Sequence, residues 1–516
     1  MSGELHAIDE LPGPLAELHA KVSSWRLLPA LIQLSNISWP NIPDRPWEAP
    51  PGLQHLREYH AHNILYLAKV IICRCHPHRG VDPSPQDVID TIWAVHKSSE
   101  PAGYEGFDDP AKVEGFSIEA LDVISRIAAV QWRLRFNDPH QMVRAIQMFH
   151  QIPERSEIPL RLDWHKELQD LYGFTAQDIL VMLAGFRTNY TGGVVTRGEL
   201  VTYFQNSPYT EDEVDKFLDI FSADQTQLTE LAAGRQRLPA ELEYYALPPL
   251  YEFPIVRFAP SRYVVPSKAV FVYALTSGLY WKLRNRFARP SESGKNPVDD
   301  DLGPLLETYD RDLMDYYLDA DEFVPEIEYE GRKWADAAIL CGTEGIILEC
   351  KAHGFSLDAL STGEIAAAHR DLEKNLVKGL TQAACNIRRV QDAAPVEPRL
   401  REIISWFPLV LVYEAPVPLN FPHVRETVLA QLHPDDRNLV QNYQALTTNE
   451  FESLMTAARF IHPVELIKNK IKDEPNGLVR NFIIKQLQKA GQQPDESYFK
   501  GVLDNQLLQS EAKYEK

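Results

Sequence analysis

The stretch Trp334–Lys351, WADAAILCGTEGIILECK, decides how this chain is read. It sets Asp336 at the head of one apolar run, and Glu349 and Lys351 two residues apart at the end of the next. Between the runs stands Cys341-Gly342-Thr343-Glu344, where the glycine favours a hairpin turn. With Gly342 and Thr343 as a two-residue loop, Asp336 falls across from Glu349 in an antiparallel pair. Strand side chains alternate faces, so Glu349 and Lys351 share one side and Cys350 takes the other. Ala337-Ala338-Ile339-Leu340 and Ile346-Ile347-Leu348 have the composition of buried strands, where charged residues are seldom found unless paired or used. Two carboxylates and an ammonium on such a greasy hairpin are costly unless a metal and a phosphate occupy them.

The flanks extend the pattern. Gly303–Leu318, GPLLETYDRDLMDYYL, reads as an amphipathic helix with Glu307 in its first turn. Phe323–Glu330 reads as a strand leading into the hairpin, Ile365–Val390 as a long helix, and Trp406–Ala415 as another buried strand. The predicted order is helix, three strands, helix, strand.

This order and these residues resemble the PD-(D/E)xK nuclease superfamily, whose fold is restriction-endonuclease-like, over about residues 300–416. The resemblance implies that Asp336, Glu349 and Lys351 form the catalytic triad. Gln382 matches a glutamine on the helix after the E-x-K strand, and Glu307 matches a glutamate on the first core helix. The chain departs from the pattern at Ala335, where the family's proline would stand, and at Asn386, where an aromatic is common.

The implied cofactor is Mg²⁺, with Mn²⁺ able to substitute, bound by Asp336, Glu349 and the Cys350 carbonyl, with Glu307 as a candidate ligand of a second ion. Such an ion lowers the pKa of a bound water and polarises a phosphate. Lys351 would position the water, stabilise developing charge or, crowded by a cation, act as the base. The plain alternatives are that E-x-K triplets are common and that a first-turn glutamate is often just solvated.

Arg370, Lys374, Lys378 and Gln382 recur every four residues on the predicted helix, and Arg388 and Arg389 follow near its end. Steps of four drift by about 40° on a helix of 3.6 residues per turn, giving one slanting stripe suited to a phosphate backbone. A solvated helix face with Asp371 and Glu373 as neighbours is the competing reading.

The rest of the chain bounds these expectations. With 516 residues, 44% hydrophobic and 24% charged, it has the length for several domains and the composition of a globular protein. Residues 1–245 read as a mostly helical regulatory or interaction region. Residues 246–300 read as a connecting segment packed on the core, 301–460 as the nuclease-like domain and 461–516 as a helical tail. The fold class expected is thus multidomain α+β, with a central mixed sheet in the nuclease-like core. Five cysteines without a regular framework point to a reducing compartment, and the acidic, polar start and lack of long apolar runs point to a cytoplasmic protein without a membrane span. Cys73, Cys75, His76 and His78 are spaced too tightly to wrap one zinc ion and fit a helix end followed by a turn.

The net charge of -21 works against non-specific DNA affinity, since that comes largely from phosphate neutralisation. A local basic groove can offset it, and weak idle binding points to a protein partner or trigger that controls activity. A homo-oligomer is expected as well, with the helical C-terminal residues as one place for self-contact. The function expected is metal-dependent cleavage of phosphodiester bonds in DNA, in prokaryotic genome defence, antiviral or otherwise, or in DNA processing. The alternatives are an inactive nuclease-fold binding or assembly module and a helical interaction scaffold in which Lys351 and the carboxylates are a buried ion pair.

Overall fold

The computed structural model describes residues 5–39, 61–99, 138–287, 296–352, 370–392, 397–414 and 419–512, apart from positions 206, 208, 236–239, 246–247, 330–331, 372 and 421. The chain mixes helices and sheets and divides into two compact units. Among the described residues no helix is long and apolar enough to cross a membrane.

The first unit takes Met1–Ala145, Leu168–Leu283 and Asn505–Lys516. Helices Gly13–Ser23, Leu27–Ser38, Ala61–Arg74 and Pro85–Ser99 bury leucines and isoleucines at helical spacing against one another. Thr175, Thr196 and Thr210 each accept from a backbone N–H three residues on, while the acid at that position reaches back. Each such cap contributes about 1 kcal/mol. A small mixed sheet runs in the order β1 (Val195–Thr196), β4 (Arg262–Val264), β3 (Ile255–Ala259), β2 (Ser222–Asp224). Leu250, Val256, Val264 and Val270 join the same core as Leu31, Tyr66 and Ile71. Residues 248–283 therefore pack within this unit, and not on the later sheet as the sequence led us to expect. Their strands pair with segments from 195–224, a long-range choice that local texture does not reveal. In the same core Lys69 Nζ meets Glu243 Oε1 at 2.8 Å, with side chains only 2% and 4% exposed. Helix Ala61–Arg74 ends just before Cys75-His76, and His76 Nδ1 accepts from the backbone N–H groups of His78 and Arg79, so this cluster is a helix terminus.

The second unit takes Ile146–Glu167 and Arg284–Asp504. Its sheet has five strands in the order β11 (Gln444–Thr447), β10 (Ser405–Val412), β9 (Glu344–Lys351), β8 (Ala337–Cys341), β5 (Phe323–Pro325). β5, β8 and β9 form an antiparallel meander, and β10 and β11 add in parallel. β8 and β9 are apolar along their length because helices pack over the sheet. A two-stranded ribbon, β6 (Glu328–Tyr329) and β7 (Arg332–Lys333), intervenes between β5 and β8. The crossover helix Lys378–Asp392 packs on β9 and β10, the long helix Pro297–Tyr317 packs on β9, and helix Pro463–Asp473 packs on β8, β9 and β10. Helix Pro463–Asp473 thus covers part of the sheet, and residues up to Asp504 belong to this unit and not to a separate tail.

The long helix begins at Pro297 with Asn296 as its cap, six residues before the expected start. Proline is well tolerated at the first helical position, and the caps and burial on either side carry the helix through Gly303-Pro304. Glu307 consequently sits in the third turn, not the first. Pro297–Asp300, within the expected connecting segment, are helical. Of the helix expected over 365–390, residues 365–369 lie outside the described residues. Glu373–Val377 is a π-helical turn leading into the crossover helix.

Candidate active site

The site is built by strand register. Cys341 pairs with Glu344 and Ala337 with Leu348, so Gly342-Thr343 is a two-residue loop. Gly342 has φ +58°, a conformation glycine adopts without the steric cost of a side chain. Continuing this register by one residue sets Asp336 opposite Glu349. On the other side Pro325 pairs with Ala337, so the same step sets Glu326 opposite Asp336. Glu326, Asp336 and Glu349 therefore form one row across three strands.

The side chains close on one another. Asp336 Oδ2 accepts from the Cys350 backbone N–H at 2.6 Å. Lys351 Nζ lies 3.0 Å from Glu349 Oε2, 3.0 Å from the Cys350 carbonyl and 3.8 Å from Asp336 Oδ2. Asn386 Nδ2 donates to the other Glu349 oxygen at 3.0 Å. Carboxylate oxygens of Glu307, Glu326 and Asp336 lie within 4.8 Å of one another. Glu349 is outside that trio and is tied to Asp336 through Lys351. Asp310, one turn beyond Glu307, is buried, and the Cys350 thiol approaches it at 3.5 Å. A Cβ on Gly379 would stand 3.0 Å from a Val410 methyl and 3.3 Å from Lys351 Cε. Glycine there lets the crossover helix press on β10 and brace the lysine stem.

The electrostatics follow from burial and an excess of acid. Burial pushes the Glu349 carboxyl up to about 7 even though Lys351 opposes the shift, with Asp336 adding to it. Glu307 is raised to about 7 by burial and then by Asp336. Asp336 is raised by burial, against the pull of Lys351 and the Cys350 N–H. For Lys351 burial works the other way, but Glu349 and Asp336 outweigh it and its pKa rises. Burial thus drives the acids toward keeping their protons, and the neighbouring carboxylates do the same for the lysine.

The donor set fits a hard divalent cation. Carboxylates and one carbonyl supply only oxygen, the preference of Mg²⁺ and Mn²⁺. Asp336, Glu307 and Glu326 are placed to bind an ion together, with Glu349 and the Cys350 carbonyl beside them.

The remaining expected residues are placed less uniformly. Gln382 is exposed, and Asn386, a turn later, is the crossover-helix side chain that reaches Glu349. Arg370, Lys374 and Lys378 are exposed, as a phosphate-tracking stripe requires. Arg388 is held by Asp436 at 2.5 Å, and Arg389 donates to the Lys333 carbonyl and to Asn386 Oδ1, so both are engaged within the unit. Sequence reasoning passed over Glu326, Asp310 and Asn386 as site residues. The signal for Glu326 was its step beyond Pro325, visible only once β5 is paired with β8.

Comparison with family models, curated proteins and solved structures gives no match.

Proposed function

We propose that this chain is a metal-dependent nuclease that hydrolyses phosphodiester bonds in DNA, with Asp336, Glu349 and Lys351 as its triad. The observation that carries the reading is the row Glu326–Asp336–Glu349 with Lys351 bridging it. The row lies at one level of a mixed sheet, and the reading takes its element order to be that of the PD-(D/E)xK nucleases the sequence resembles. A Mg²⁺ held by Asp336, Glu349 and their neighbours would lower the pKa of a bound water and polarise the phosphate.

The protein's own groups have distinct tasks. The Cys350 N–H fixes the Asp336 carboxylate, and Asn386 fixes Glu349, so both acids are oriented before substrate arrives. Lys351 is held protonated by its acidic neighbours, which favours charge stabilisation at the phosphoryl oxygens over a role as base. Gly379 keeps its stem in place. Arg370, Lys374 and Lys378 offer exposed positive charge for the backbone of DNA. DNA as substrate follows from the family resemblance, as do a place in genome defence or DNA processing and control by a partner or trigger. The acidic chain, at -21, is the reason to expect weak resting affinity.

One observation favours a second reading, an inactive nuclease-fold binding module. Lys351 Nζ already gathers Glu349, Asp336 and the Cys350 carbonyl, the oxygens a metal would take. Purified protein with supercoiled and linear DNA, in Mg²⁺ or Mn²⁺ and with EDTA as control, separates the two. Metal-dependent cutting lost in Lys351→Ala, by about 100-fold or more, is the expected result. No cutting, together with divalent-ion binding unchanged in Asp336→Ala and Glu349→Ala, would leave the binding module as the better account.

A further inference from the structure

The second unit carries another cluster whose chemistry differs from the acid row. His150 lies on the π-helical turn Gln147–Gln151, Glu154 follows one turn later, and His165 is in the first turn of helix Trp164–Tyr172. His150 Nδ1 is 3.6 Å and His165 Nε2 is 3.8 Å from the same oxygen, Glu154 Oε1. The two rings stand edge to face, with centroids 5.2 Å apart and planes at 87°. One donor atom from each of the three residues lies within 4.8 Å of the others. His165 Nε2 is shielded from solvent and makes no hydrogen bond.

These separations are too long for hydrogen bonds, which need roughly 2.7–3.2 Å. They match the edge of a coordination tetrahedron: metal bonds of about 2.0–2.2 Å put neighbouring ligand atoms roughly 3.4 Å apart. Two imidazole nitrogens and one carboxylate oxygen are a donor set that suits zinc more than magnesium.

The framework is rigid enough to hold such a site. Phe149 stacks on Trp164 at 5.3 Å with planes 6° apart, which brings the His150 and His165 segments together. Buried Asp301 on the long helix accepts from the backbone N–H of Arg161 at 2.7 Å, from that of Leu162 at 3.0 Å and from Trp164 Nε1 at 3.1 Å. Arg155 forks onto Asp312 of the same helix at 3.0 and 2.5 Å. Glu154 is 58% exposed, which leaves the outer side open to water.

We propose that His150, Glu154 and His165 bind one zinc-class divalent cation, completed by water, which pins residues 146–167 to the long helix. This inference stands apart from the nuclease reading. The test uses full-length protein stripped of metal by a chelator and then titrated with Co²⁺ as a coloured stand-in for Zn²⁺. Zn²⁺ affinity is read by competition with a chromophoric chelator.

One equivalent of Co²⁺ should give visible d–d bands that Zn²⁺ displaces. The bands should persist in an Asp336→Asn/Glu349→Gln background, and Zn²⁺ affinity should fall at least tenfold in Glu154→Ala and His165→Gln. Both substituted side chains are partly exposed, and unchanged melting of the metal-free variants verifies that they fold. Three results would overturn the proposal: no stoichiometric Zn²⁺ or Co²⁺ binding, binding that both variants leave intact, or binding removed only by the Asp336 and Glu349 substitutions.

Discussion

In the first unit Lys69 meets Glu243 at 2.8 Å, one cation to one anion, with the Tyr66 ring 5.9 Å from the ammonium. In the second, Lys351 meets Glu349 at 3.0 Å and Asp336 at 3.8 Å, and Asp336 gathers with Glu307 and Glu326. Lys333, a further ammonium beside them, is exposed and spent on Glu326 at 2.8 Å. The two lysine–glutamate pairs look alike by distance, and charge balance separates them. A balanced buried pair is a finished structural element. An unbalanced one keeps a capacity for positive charge, and this is what marks the second lysine as belonging to a site.

The largest effect expected from testing this contrast lies in the balanced pair. Lys69→Met strands Glu243 in the core and should cost about 3–5 kcal/mol in urea unfolding, whereas Lys69→Met/Glu243→Leu should recover most of it. A single-variant loss below about 1 kcal/mol would mean that the pair is not sealed from water.

A smaller effect, opposite in sign, is expected at the unbalanced pair. The Glu349 carboxyl is raised from 4.5 to about 7, so the folded state binds more protons than the unfolded state between those values. Stability in EDTA should therefore fall as pH rises through this window. Glu349→Gln removes the penalty and should stabilise the metal-free protein by about 1–2 kcal/mol at pH 8, with little change at pH 5. Unfolding midpoints at the two pH values read this directly, and a variant less stable at pH 8 would contradict the charge imbalance.

The smallest effect concerns the surface. If the exposed stripe meets DNA, Lys374→Glu/Lys378→Glu should weaken binding severalfold and lower the salt slope by about 2. Arg388→Glu should instead act through stability, since Arg388 already serves Asp436. Fluorescence anisotropy across a salt series distinguishes these, and an unchanged slope in the double variant would remove the stripe from the interface.

How much of this was readable depended on how far apart in sequence the cause lay. The hairpin was legible because its turn, its register and the facing of Asp336 and Glu349 are set within Trp334–Lys351. The capping boxes that start helices Glu211–Phe221 and Thr448–Ala457 are local in the same way, each set within four residues. Glu326 was not, because its place in the row needs β5 to pair with β8 beyond an intervening ribbon. Asn386 was noticed only as a departure from a family pattern, and its contact with Glu349 depends on how the crossover helix is rotated against β9. The helix read as starting at Gly303 begins six residues earlier, at Pro297, and burial on either side carries it through Pro304. Lys468 and Lys470, which could pass for a basic surface cluster, are committed to Glu344 at 2.7 Å and to the interior respectively.

The parallel pairing of β9 with β10 also has a consequence for how the chain reaches its fold. β8 and β9 close over two residues, a step of microseconds, whereas β10 can dock only after residues 352–404 have been made and looped back. Until it does, the row of acids remains hydrated and its repulsion is screened by water. The cost of dehydrating those charges is thus deferred until β10 encloses β9. Refolding in EDTA should accordingly be faster at pH 5.5 than at pH 8, and a rate indifferent to pH would mean that the acids are dehydrated only after the barrier. On the ribosome, the chain would carry its most costly feature harmlessly until the strand that encloses it emerges.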